Sequence, residues 1–156
     1  MLHLLDEIAA SHFPRAPATL AQLAAFEART GWQLDADMRA FYLRMDGATL
    51  FERWPDQTFQ VLPLAEIQPA GLAMRPGQAR DEQGSASWWT LVSLGDDDYV
   101  VADVSRREQG CYPLLDAYHE TFPRQVVQIA PSFGAWLERT LASDNQLWWL
   151  PEPKND

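Results

Sequence analysis

Residues 20–51 read LAQLAAFEARTGWQLDADMRAFYLRMDGATLF, and no other segment constrains the fold of this chain as tightly. The pattern predicts two short amphipathic helices joined by a tight connector and stopped by Asp46-Gly47. Thr19 and Gln22 have the spacing of a capping box, in which each side chain satisfies an amide left orphaned at the helix start. Leu20, Leu23, Ala24 and Glu27 recur at helical spacing, and Phe26 widens the apolar stripe. Gly31 stands where a left-handed C-terminal cap is needed. Asp35 suits the N-cap of the second helix, whose inner face is Met38, Phe41, Tyr42 and Met45. Helices this short are marginal alone, so their shared face must pack against something larger. Neither carries a residue set suited to chemistry, which points to a binding module.

A length of 156 residues suits one domain, expected over residues 1–150 with a fraying tail at 151–156. Hydrophobic residues make up 47% and include seven tryptophans, enough for a real core. No apolar run approaches the roughly 20 residues of a membrane helix. The opening MLHLLDEIAAS has acidic residues and no basic segment, so it reads as a first helix with Leu2, Leu5, Ile8 and Ala9 on one side, not as a secretory signal. The single cysteine, Cys111, excludes an internal disulfide and fits a reducing cytoplasm. Acidic side chains outnumber basic ones 22 to 12, giving a net charge of −10. That disfavours nucleic acid, whose affinity comes chiefly from Lys and Arg on phosphates. It suits a basic protein partner, although solubility alone favours the same balance.

Beyond residue 51 the period changes. Residues 59–62 fit a short strand ended by Pro63, and LAEIQPAG fits one helical turn or a loop. Residues 75–87 are polar and small, and are expected to form a mobile loop. Residues 88–94 and 99–104 are rich in aromatic and β-branched residues and predict two strands, with a hairpin turn over residues 95–98. Further strands are expected at residues 112–115 and 126–129. Ser132 then opens a final helix with Phe133, Trp136, Leu137, Thr140 and Leu141 inward, and residues 147–150 are expected to fold back on the domain. Helices, then strands, then a helix indicate an α+β fold with a mainly antiparallel sheet, the terminal helices packed against it.

These motifs together resemble the SUKH superfamily, the Smi/Knr-type domain. The matching positions in the opening signature are Phe26, Glu27, Gly31, Leu34, Phe41 and Gly47. Asp35 stands where the family usually has proline, and Asp46 where it has asparagine; both keep the capping or turn role. QVLPLAEI resembles the family's strand-to-helix step, LVSLGDDDYVVADVS its central hairpin ending in an aspartate (Asp103), and IAPSFGAWLERTLAS its closing helix. The resemblance spans residues 15–143. It implies a non-enzymatic, cytoplasmic domain, in bacteria most often an immunity protein that binds and occludes a toxin, frequently a nuclease. Eukaryotic relatives are regulatory interaction proteins, so an intracellular scaffold with an endogenous partner is the alternative implied.

Asp96, Asp97 and Asp98 form the densest charge run. They suit a toxin active site lined by Arg or Lys, where they would imitate phosphates, but acidic residues are equally natural in a solvated turn. They lack the spaced D-x-D-x-D-G pattern of a calcium loop. Asp81 and Glu82 share the ambiguity. His3, His12 and His119 are scattered, so no metal site is expected. Asp116 and His119 with a serine would draw a triad, yet no G-x-S-x-G elbow places a nucleophile, and neither a P-loop nor a dinucleotide fingerprint occurs. No cofactor and no catalytic residue are expected. Trp32, Trp136 and one of Trp88 and Trp89 are assigned to the core, since neighbouring strand residues face opposite ways. Trp54, beside Arg53 and Pro55, joins the three aspartates as a candidate partner contact, because exposed Trp anchors interfaces.

Overall fold

The computed structural model describes residues 1–51 and 59–152. Trp54, Arg53 and Pro55 lie outside the described residues, as do the last four residues of the tail.

The N-terminal helices form where capping and periodicity place them. Helix α1 (Leu2–Ser11) leads into a two-residue strand β1 (Phe13–Pro14), followed by α2 (Leu20–Thr30) and α3 (Ala36–Arg44). At the start of α2 the capping box closes in both directions, with Thr19 N–H donating to Gln22 Oε1 at 2.8 Å and Gln22 N–H to Thr19 Oγ1 at 3.1 Å. Gly31 ends the helix in the left-handed region, at φ 78°. Asp35 caps α3 by accepting from the Met38 amide at 2.9 Å. Met38, Phe41, Tyr42 and Met45 are all buried, as their spacing predicts.

The inner faces of the first two helices differ from expectation. In α1 the buried residues are Leu4, Leu5 and Ile8, while Leu2 is 72% exposed and Ala9 lies outside. In α2 only Leu23 and Phe26 are buried; Leu20 is 64% exposed and Ala24 faces solvent. The real stripe is narrower than the sequence period suggests. Arg29 at the end of α2 fixes its rotation, donating to the Ile67 and Leu64 carbonyls at 3.1 and 2.9 Å.

After α3, Asp46 accepts from the Leu64 amide at 2.9 Å. Gly47 is required twice over, by φ 93° and because a Cβ there would sit 2.7 Å from the Val61 carbonyl oxygen. The chain then enters a sheet of β2 (Ala48–Leu50), β3 (Phe59–Val61), β4 (Trp88–Gly95), β5 (Asp98–Asp103), β6 (Leu114–Ala117) and β7 (Val126–Ala130). With β1 these make seven strands among the described residues, in the order β1-β2-β3-β4-β5-β6-β7, every neighbour antiparallel. A 3-10 turn (Leu64–Glu66) and helix α4 (Ala70–Met74) fill the β3–β4 connection. Helix α5 (Phe133–Leu141) closes the chain, its N-cap Ser132 accepting from the Ala135 amide at 3.1 Å. The fold is therefore α+β, with terminal helices on an antiparallel sheet.

Strand alternation sorts the core into two parts. Ala48, Leu50, Phe59, Val61, Val92, Val100, Ala102 and Leu114 join the side chains of α1, α2, α3 and α5 in the main core. Val101, Leu115 and Ala117 belong to a smaller cluster with Ala70 and Met74 of α4 and with Phe122. Trp88 and Trp89 serve one cluster each, Trp88 the smaller and Trp89 the larger. Neither ring is therefore left over as an outward anchor.

Strand β6 begins two residues later than its sequence suggests. Pro113 has no N–H to offer a ladder, and Tyr112 is committed elsewhere, its hydroxyl donating to the Gln33 carbonyl at 2.8 Å. Residues 75–87, expected as a mobile loop, hold a 3-10 turn (Arg80–Glu82), and the Gln83 amide group donates to the Arg75 and Gln78 carbonyls at 3.1 and 3.3 Å. Leu147, Trp148 and Trp149 pack back on the main core, and the Trp148 indole donates to the buried Thr140 hydroxyl at 3.0 Å.

Candidate partner-binding surface

The β4–β5 hairpin turns on Asp96 and Asp97, with φ of 49° and 61°. Two consecutive left-handed residues match the strand twist of a two-residue hairpin, and aspartate tolerates that geometry better than most residues. Both side chains are exposed at the end of the sheet.

Asp98, the third member of the run, does something different. Its Oδ1 accepts from the His119 backbone N–H at 2.8 Å and lies 2.7 Å from His119 Nδ1. The hydrogen bond to Asp98 favours the imidazolium and holds His119 above its usual value of 6.5. The Tyr118 ring packs on His119 with centroids 4.8 Å apart, and Glu120 Oε1 lies 4.0 Å from His119 Nε2. Arg75, at the end of α4, clamps the same segment by donating to the His119 and Phe122 carbonyls.

The structure thus splits the predicted set. Asp96 and Asp97 stay free in the turn, Asp98 is spent on anchoring the β6–β7 connection, and Trp54 is outside the described residues. It also adds Tyr118 and Glu120, both exposed, which sequence reasoning did not assign. The only signal for them was their position just after a strand, and that becomes informative only once β5 and β6 are paired.

His119 pairs with Asp98, not with the Asp116 that a paper triad would have used. Its second ring nitrogen faces Glu120, so no hydroxyl nucleophile is set against it among the described residues. Asp103, the aspartate that ends β5, accepts from Ser105 Oγ at 2.6 Å, Ser87 Oγ at 2.9 Å and Ser105 N–H at 3.1 Å. Burial alone would raise its pKa, but these bonds outweigh it and leave the carboxyl below its usual value. Asp103 is a fastening for the loops around it. Asp35 is wholly buried, accepts from the Met38 and Tyr112 amides, and is pushed up by that burial. It too is structural.

Two grooves, of 310 and 240 Å³, gather no acid–base pair. In the smaller, Arg29 and Asp46 are both engaged with backbone groups; in the larger, Arg80 is the only charged residue. Among the described residues no three His, Cys, Asp or Glu side chains converge as a metal site would need, and no helix is long and apolar enough to cross a membrane.

A helix-buttressed antiparallel meander with an acidic hairpin tip, and grooves without convergent chemistry, has the build of a protein-interaction domain. The chain belongs to the SMI1/KNR4 family (SUKH-1), whose model matches residues 17–139. Membership in that family is consistent with an interaction module of the immunity type. No curated protein matches the chain. Helix α1 and the Trp148-Trp149 tail fall outside the matched residues, yet both pack on the main core.

Proposed function

We propose that this protein is an immunity protein that binds a cognate toxin domain of basic character, such as a nuclease, and blocks its active site without chemistry. The observation that carries the reading is the hairpin tip: Asp96 and Asp97 project from a backbone fixed by strand pairing, in a chain of net charge −10. A preformed carboxylate pair loses little freedom on meeting Arg or Lys side chains. The surrounding negative field speeds encounter with a positive partner and rejects like-charged ones. Tyr118 and Glu120 extend the same end of the sheet, and Trp54 stays a proposed contact.

The deciding experiment is co-expression with any toxin domain found encoded beside this gene. Growth should be restored by the native chain. A chain that binds the toxin without restoring growth would sink occlusion as the mechanism. The Asp96→Asn, Asp97→Asn double variant should slow association by about 3- to 10-fold and alter dissociation much less, read by stopped-flow.

A further inference from the structure

The sheet has two edges, and they are built differently. Strand β1 is two residues long and contains Pro14, so it offers almost nothing to another strand. Strand β7 is five residues, VVQIA, without charge or proline. Among the described residues, no backbone group of Val126–Ala130 hydrogen-bonds outside the sheet ladder. In an edge strand every second amide and carbonyl points away from the sheet. Val127 is 63% exposed, and Gln128 beside it is also exposed. The one protective device is a bulge near the Ala130 end; Val126, Val127 and Gln128 keep unbroken register opposite Ala117, Asp116 and Leu115.

What fits such an edge is extended backbone, and the occupant can be narrowed further. Pairing β7 with β7 of a second copy would fall well below the ~800 Å² per partner of a stable complex. It would also bring together two chains of net charge −10. The side-chain row points elsewhere. Asp116 lies directly opposite Val127, on the same side of the sheet, half-buried and without an ion pair among the described residues. A strand added outside β7 would place a residue about 10 Å from Asp116, two strand spacings away. A Lys or Arg stem laid over Val127 spans that distance and puts its cation at the carboxylate.

We infer that the open edge of β7 accepts an extended segment of a partner protein, carrying a Lys or Arg on the row of Val127 and Asp116. This rests on the reading that the protein works by binding another protein, and it names a second contact surface apart from the hairpin tip. Backbone pairing supplies the affinity, and the Asp116 row supplies the preference for a cation. Burial raises Asp116 above the usual carboxylate range, partly offset by the Trp149 indole beside the same carboxyl.

The test uses the full chain and an alternating Lys-Val heptapeptide, with amide hydrogen exchange read residue by residue by NMR. Exchange at residues 126–128 should slow at millimolar peptide, and a Lys-Val peptide with proline at its centre should have no effect. Asp116→Asn should weaken binding by about tenfold, the scale of one charge-assisted contact. Val127→Lys, a guard of the kind natural edges carry, should abolish it while leaving exchange in the helices unchanged. Unchanged β7 amides with the native chain would overturn the inference, as would equal binding of an alternating Glu-Val peptide. Neither result depends on the toxin, so failure here is distinguishable from failure of the rescue experiment.

Discussion

A single aspartate can be legible for its local role and opaque for its distant one. Asp35 reads as an N-cap from its neighbours alone, and it is one. That it also accepts from the Tyr112 amide, 77 residues onward, follows only from the folded topology. Asp35→Ala should cost about 1–3 kcal/mol, since it removes the cap and strands a buried N–H, measured by urea denaturation. The Asp96, Asp97, Asp98 run teaches the same lesson. Sequence shows three equivalent carboxylates, whereas strand register turns one of them toward His119. Because Asp98 raises the His119 pKa in the folded state, its stabilisation is complete below the unfolded value of about 6.5 and fades as pH rises through the folded value. An NMR titration should therefore find His119 above 6.5 in the native chain and lower in Asp98→Asn than in the native chain.

Elements were predicted more reliably than their orientations. The final helix was readable to the residue, because Phe133, Trp136, Leu137, Thr140 and Leu141 face one continuous core and all are buried. Helix α2 was not, because alanine carries little preference for inside or outside. Its rotation is set by Arg29 reaching the Leu64 and Ile67 carbonyls, contacts that no periodicity encodes. Strand alternation predicts one of Trp88 and Trp89 in the core and the other on the outer face or under the tail, but a sheet with a core on both faces uses both. The C-terminal tail is bound more firmly than its Pro-rich end suggests. Arg139 lies 3.8 Å from the Trp148 ring centroid, and the indole N–H satisfies Thr140. Trp148→Ala should lower stability by about 2–4 kcal/mol, from lost ring burial and an unpaired buried hydroxyl, visible as a drop in Tm.

At the scale of the molecule, fold class was readable from element order and family from motif order, whereas the surface that meets a partner was readable only as charge. Net charge gives a sign and no address; the address needs the hairpin geometry and the strand edges. The consequence of that sign is measurable. Raising salt from about 0.05 to 0.5 M should slow association with a basic partner markedly, as the Debye length shrinks, and a rate indifferent to salt would contradict electrostatic guidance.

The sequential strand order has a consequence for how the chain is made. Each strand pairs with the one synthesised just before it, so the meander can zip up behind the ribosome as it emerges. The greasy side of α3 has no such luck, because Phe41 waits for Phe133, 5.1 Å away in the finished fold and more than 90 residues later in translation. A nascent chain halted before α5 is thus an adhesive intermediate, and stops placed between β7 and α5 should yield aggregates, not partially active protein.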